Sequence, residues 1–147
     1  MKIMVINGPN LDMLGIREKE IYGTMSHEGL CGYIAREAGN LGIDAEVLQS
    51  NVEGELVNYI HRAYSEHYDG IVINPAAYTH YSLAIYDALK AVSLPAVELH
   101  LSNINAREEY RRVSVTAPAC IGSVCGFGHY GYRLALEAIR NYILSKE

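Results

Sequence analysis

Paired cysteines are missing from this sequence. Cys31, Cys120 and Cys125 are odd in number and show no CxxC spacing. That argues against a disulfide framework and points to a reducing compartment, so a cytoplasmic location is expected. Basic residues are scarce too. Twelve Lys and Arg face seventeen Asp and Glu, a net charge of −5. Phosphate binding wants a basic face, so nucleic acid is not an expected partner. Long apolar runs are absent. The run over residues 1–7 is too short for a signal peptide or a membrane span, so no membrane partner is expected. The six histidines lack HExxH spacing, which with the unpaired cysteines leaves no recognisable metal site. Repeats, linkers and low-complexity segments are also absent. What remains is a chain of 147 residues, half of them apolar and a fifth charged. That is the length and balance of one catalytic or binding domain, spanning residues 1–147, that needs no staples.

The elements alternate. Residues 2–6 form a continuous β-branched and apolar run, stopped by Asn7-Gly8-Pro9, and read as a buried strand. Ser26 caps a helix with the apolar stripe Leu30, Ile34, Ala38 and Leu41, and Gly42 closes it. Residues 45–49 make a second strand. Leu56, Tyr59, Ile60, Ala63 and Tyr64 form a second helical stripe. Residues 70–74 make a third strand, ended by Pro75, and residues 82–92 a helix. Pro95 starts a fourth strand over residues 96–101. Residues 119–125 make a fifth, and residues 130–144 a closing helix. Between Ser102 and Ala117 a loop is expected, with a short helix around residues 107–112. Strands alternating with helices predict an α/β three-layer fold: a five-stranded parallel sheet, order 2-1-3-4-5, covered on both faces in the flavodoxin-like manner. Ligands bind such sheets beyond the carboxyl ends of the strands, at the switch between strands one and three. That places a site just after Ile6, Ile73 and Leu99.

Polar residues gather at those strand ends. Gly8-Pro9-Asn10 follows strand one, then a long loop with Arg17 and Tyr22. Asn74 and His80 follow strand three. Glu98 and His100 end strand four, with Ser102, Asn103, Arg107 and Arg111 beyond. Each alone has an ordinary reading: a turn former, a helix start, a cap or a solvated helix face. Their convergence on one predicted mouth favours a site. Glu98 and His100 alternate along a strand and so share a face. A carboxylate there can fix the imidazole tautomer and favour its charged form, which suits a general acid. Tyr22 lies five residues beyond Arg17. To serve as a base near neutrality a tyrosine must lose about three pKa units, roughly 4 kcal/mol. A desolvated arginine beside it supplies much of that.

Other motifs fit less well. Gly126, Gly128 and Gly131 match G-x-G-x-x-G, but no later strand carries the acidic residue of a dinucleotide site. The glycines suit a tight turn and close helix packing. A phosphate-receiving signalling domain would need an aspartate where Asn74 stands. Of the lysines, Lys2, Lys90 and Lys146 fall away from the mouth and only Lys19 is near it, which disfavours Schiff-base chemistry.

The chain resembles the type II 3-dehydroquinate dehydratases along nearly its whole length. The matching stretches are Ile6-Asn7-Gly8-Pro9-Asn10-Leu11, Arg17-Glu18 with Tyr22-Gly23, Gln49-Ser50-Asn51, Asn74-Pro75 with Ala77-Tyr78-Thr79-His80, and Glu98-Leu99-His100-Leu101-Ser102-Asn103 running on to Arg107-Glu108-Glu109 and Arg111. The resemblance implies a lyase of aromatic biosynthesis or quinate breakdown that dehydrates 3-dehydroquinate to 3-dehydroshikimate through an enolate, with no cofactor. It implies Tyr22 as base, Arg17 as its partner, Asn10 ordering a water at the enolate, and His100 as acid with Glu98 behind it. Asn74, His80, Asp87, Arg111 and the backbone at Leu101 and Ser102 would bind substrate. It further implies a homo-oligomer, a dodecamer built from trimers. The Arg17–Tyr22 loop, flanked by Gly15 and Gly23, is expected to close over substrate as a mobile lid. Three positions depart from the family's usual pattern: Lys19 for a proline, Ala76 for a glycine, and Tyr86 for an arginine before Asp87. The residues themselves also admit a non-catalytic ligand-binding domain on the same fold, or another cofactor-free elimination lyase.

Overall fold

Every residue of Lys2–Asn7 after the lysine is buried, so this segment, β1, is an interior strand covered on both faces. The computed structural model describes residues 1–16, 20 and 24–146. β2 (Asp44–Gln49), β3 (Gly70–Asn74), β4 (Ala96–His100) and β5 (Gly122–Cys125) complete one all-parallel sheet in the order β2-β1-β3-β4-β5. This is the expected flavodoxin-like order.

Helices α1 (His27–Asn40) and α4 (Tyr130–Leu144) cover one face, and α2 (Glu53–Ser65) and α3 (Leu83–Val92) the other. Strand alternation sorts the core between them. Ile3, Val5, Val72, Val97 and Leu99 meet Leu30, Ile34, Leu136 and Ile139. Met4, Ile6, Ile71, Ile73 and Ala96 meet Leu56, Ile60, Ile85 and Leu89. Side-chain hydroxyls cap two of these helices: Ser26 Oγ accepts from Gly29 N–H and Ser82 Oγ from Ile85 N–H. Past α1, Ile43 N–H reaches back to the Ala38 carbonyl at 2.9 Å across Gly42, whose φ of +68° suits glycine.

Two expectations are corrected. The short helix expected around residues 107–112 is a single 3-10 turn rather than an α-helix. Short 3-10 turns stand at Ile104–Ala106 and Glu109–Arg111, separated by Arg107 in an extended conformation. So short a stretch cannot offset helix nucleation. It also runs into a stretch with three β-branched residues, Val113, Val115 and Thr116, which docks by backbone: Val115 N–H donates to the Thr79 carbonyl at 2.8 Å. The fifth strand begins at Gly122, not at residue 119, because Ala117–Ala119 is a 3-10 turn built on Pro118.

Candidate active site

Register brings the site together. Asn7 pairs with Gln49 on one side and Asn74 on the other, so three amides line up where the strands end. Gly8 follows directly, and its N–H donates to the Asn74 carbonyl at 2.8 Å. A Cβ at Gly8 would sit 2.6 Å from the Pro75 carbonyl oxygen, so only glycine lets the two loops approach this closely. Asn10 then takes φ +66°, and its N–H donates to Asn51 Oδ1 at 2.8 Å. Gln49 Nε2 donates to the same Oδ1 at 3.1 Å and to the Gly8 carbonyl at 3.2 Å. Asn51 Nδ2 donates to Asp12 Oδ2 at 3.3 Å, and Tyr78 Oη donates to the Asn51 carbonyl at 2.9 Å. The turn carrying Asn10 is therefore held from β2 by the Gln49-Ser50-Asn51 stretch.

Asn74 is buried. Its Oδ1 accepts the Ala76 N–H at 3.1 Å and its Nδ2 lies 3.4 Å from Tyr132 Oη. Tyr132 is fully buried and donates to Asn7 Oδ1 at 2.6 Å, and burial drives its phenol far above the ordinary tyrosine range. His80 Nδ1 donates to the Val113 carbonyl at 2.8 Å, which leaves Nε2 as the ring's other polar atom.

Glu98 and His100 point to one face, as their alternation predicts, and meet: His100 Nε2 lies 2.8 Å from Glu98 Oε1. Glu98 is 1% exposed, yet it is held as a carboxylate. Burial pushes its pKa up, but hydrogen bonds from His100, Thr116 and Ser114 outweigh burial and leave it below the ordinary value. The donors are the hydroxyls of Thr79 at 2.9 Å and Ser114 at 2.8 Å to Oε1, and that of Thr116 to Oε2. Beyond β4, the glycine turn braces the backbone. Gly126 N–H donates to the His100 carbonyl and Gly128 N–H to that of Leu101, at φ values of +93° and +55°. The G-x-G-x-x-G motif thus serves the site's frame, as a tight turn.

These parts open into one pocket of about 130 Å³, several times the room one ordered water needs. Asn10, Asn74, His80, His100, Leu101, Ser102 and Arg111 all line it, as does Arg107. Glu108 lies between the two guanidiniums, 3.3 Å from Arg111 Nε and 3.5 Å from Arg107 Nε. Two cations and one acid leave net positive charge at this wall, suited to a small anionic ligand. Arg17 and Tyr22, with the lid expectation, lie outside the described residues. Asp87 is not brought to the pocket of its own chain; it is exposed on α3. Among the described residues no cluster of three or more His, Cys, Asp or Glu could hold a metal, and no helix is long and apolar enough to cross a membrane.

Ser114 and Thr116 carried no signal of their own in the sequence. Gln49, Asn51, Tyr78 and Thr79 lay in stretches shared with the family but carried no role. The signal for the hydroxyls was indirect: a buried Glu98 must find donors, and Ser114 and Thr116 are hydroxyl residues in the connection that leads to the neighbouring strand β5.

Comparison with known proteins agrees with this geometry. The family model described as dehydroquinase class II matches residues 1–140. A 3-dehydroquinate dehydratase of Clostridium perfringens is 63% identical over 146 residues, covering 99% of this chain and 100% of the relative. One from Fusobacterium nucleatum subsp. nucleatum is 60% identical over 144 residues, covering 97% and 98%. The crystal structure of type II dehydroquinase from Butyrivibrio crossotus superposes with a TM-score of 0.94 at 51% identity, covering 95% of this chain and 97% of that one. With the strand order, the pocket and these matches pointing the same way, the chain belongs to the class II dehydroquinase family.

Proposed function

We propose that this pocket removes water from 3-dehydroquinate to give 3-dehydroshikimate. The observation that carries the reading is the convergence of the Glu98–His100 pair, two asparagines, His80, Ser102 and Arg111 on one cavity. The relatives' shared name, 3-dehydroquinate dehydratase, supplies the substrate.

The chemistry has two parts. A C2 hydrogen beside the ketone must leave, and the resulting enolate needs stabilisation. Tyr22 takes that hydrogen as a tyrosinate, with Arg17 holding its charge. Asn10 orders a water at the enolate oxygen. The C1 hydroxyl is a poor leaving group and needs a proton. His100 provides it: Nε2–H stays on Glu98 and the other ring nitrogen, Nδ1, gives its proton to the departing oxygen. Arg111, Asn74, His80 and Ser102, with the Leu101 backbone, hold the carboxylate and hydroxyls of the ring. Asp87 completes the site from another copy in a dodecamer built from trimers. No step calls for a metal or an organic cofactor, and the enzyme works in the cytoplasm.

Conjugated product forming in the ultraviolet on adding 3-dehydroquinate tests the activity; turnover of a different hydroxylated ring acid in its place would overturn the substrate. Exchange of the C2 hydrogen with solvent tests the roles. Tyr22→Phe should lose exchange and about 10²–10⁴ of the rate while still binding substrate. His100→Ala should lose turnover and keep some exchange. Near-normal turnover by Tyr22→Phe would remove Tyr22 as the base.

A further inference from the structure

We infer that Thr79, Ser114 and Thr116 are positioning residues that hold Glu98 ionised and so fix which nitrogen of His100 faces the pocket. The inference rests on the reading of His100 as the general acid and extends it to groups that never meet the ligand. None of the three hydroxyl residues lines the cavity, and nor does Glu98.

The cage is built from two chain segments. Thr79 comes from the 3-10 turn after β3, and Ser114 and Thr116 from the stretch before β5. Val115 N–H bonds the Thr79 carbonyl at 2.8 Å and locks the segments together. Ala117 N–H donates to Ser114 Oγ at 2.9 Å, so that oxygen's acceptor side is engaged and its hydrogen goes to Glu98. Thr79 Oγ1 lies 2.8 Å from both Ser114 Oγ and Thr116 Oγ1, so the three oxygens crowd one side of Glu98, each with its single hydrogen turned to the carboxylate.

Counting hydrogens fixes the charge state. Three hydroxyl hydrogens and the His100 Nε2–H are directed at one carboxyl group. A carboxylate accepts all four, whereas a neutral Glu98 would add a fifth hydrogen among donors that already face it. An ionised Glu98 can only accept, so Nε2 must carry hydrogen and Nδ1 is left for chemistry. A buried charge costs stability unless it is fully bonded, and the cage is what bonds it. Among the described residues, the titratable groups facing Glu98 are His100 and Cys120. Burial pushes the Cys120 thiol up to about 12, so it stays neutral and adds no competing charge. On its pocket side His100 shares the cavity with His80, Arg107 and Arg111.

The sign of the pH effect follows. Glu98 sits below its ordinary pKa because of these donors, so removing a donor raises it. Turnover, which needs the carboxylate, should then fail at higher pH on the acid side. The test uses Thr116→Val, which keeps the shape, and Ser114→Ala at the half-buried position. Infrared difference spectra follow the protonated-carboxyl band of Glu98, identified by its loss in Glu98→Gln. The pH profile of kcat is measured on the same proteins with 3-dehydroquinate. In each variant the band should appear about one pH unit higher than in the parent, the size of one charge-assisted hydrogen bond. The acid limb of kcat should move with it, and Thr116→Ser should restore both. A band that does not move in either variant overturns the inference. A band that moves while the acid limb stays overturns His100 as the acid and leaves the cage's hold on Glu98 intact.

Discussion

Ala76 lies in the left-handed region at φ +52°, in the turn between Asn74 and His80. A side chain there costs roughly 1–2 kcal/mol, which glycine, the residue common at this position in the family, avoids. The turn persists because Asn74 Oδ1 holds the Ala76 N–H and the backbone beyond Pro75 is pinned by Tyr78 N–H. Ala76→Gly should therefore stabilise the protein by about 1 kcal/mol, less the extra freedom glycine adds to the unfolded chain. A thermal melt should show a midpoint a few degrees higher; an unchanged or lower midpoint would count against strain at this residue. Glu98 and His100 show how far single residues were legible. Their alternation predicted a shared face, and they meet at 2.8 Å. Ser114 and Thr116 reach Glu98 across 16 and 18 residues of chain, a contact no local spacing announces.

At the scale of elements, the turn after β1 depends on the turn after β2. Asn51 Oδ1 takes hydrogen bonds from both Asn10 N–H and Gln49, and this holds Asn10 in its left-handed conformation at the pocket wall. Asn51→Ala should let Asn10 drift from the water it is proposed to order. The loss falls on a transition-state contact, so kcat should fall about tenfold with a smaller change in KM. Asn51→Asp keeps the acceptor but sets its carboxylate against that of Asp12, so it should keep only part of the rate that Asn51→Ala loses. Steady-state kinetics decide this, and an equal rise in KM with kcat intact would reassign the clamp to substrate binding. Strands and long helices were legible because their burial repeats along the chain. The segment between β4 and β5 was not. It packs by isolated contacts, such as Val115 on Thr79, and a run of arginines that reads as a helix face is cut by an extended Arg107.

Two properties belong to the whole molecule. Glu37, Glu46 and Glu98 all sit below the ordinary glutamate value of 4.5. Arg133 bonds the first and Tyr68 the second; for Glu98, hydrogen bonds from His100 and the hydroxyl cage outweigh a larger burial penalty. A lowered carboxylate adds stability above its unfolded pKa, and that stability is lost as pH falls through the folded value. The melting temperature should thus hold from neutrality to about pH 4.5 and drop steeply below it, with a shallower drop in Glu98→Gln. A flat profile down to pH 3 would contradict the three shifts. The second is the proposed assembly. Asp87 is exposed on α3 and outside the pocket of its own chain, so it can serve a site only in a neighbouring copy. Asp87→Ala and His100→Ala chains refolded together should be more active than either alone, in particles of about twelve chains by light scattering. Hybrids no more active than the parents would remove Asp87 from the site.

By itself the sequence determined the layers and the address of the site. Buried strands such as Lys2–Asn7 and striped helices such as His27–Asn40 admit few arrangements, and the strand order places polar loops at one sheet end. Those signals are periodic and local, so they survive in one dimension. Tertiary structure alone decided which groups touch. It seated Asn51 under Asn10, Tyr132 against Asn7 and three hydroxyls around Glu98, and it left Asp87 facing outward. Such contacts join residues far apart in the chain and follow from packing and from the demand that buried polar atoms find partners, which only the folded shape can answer.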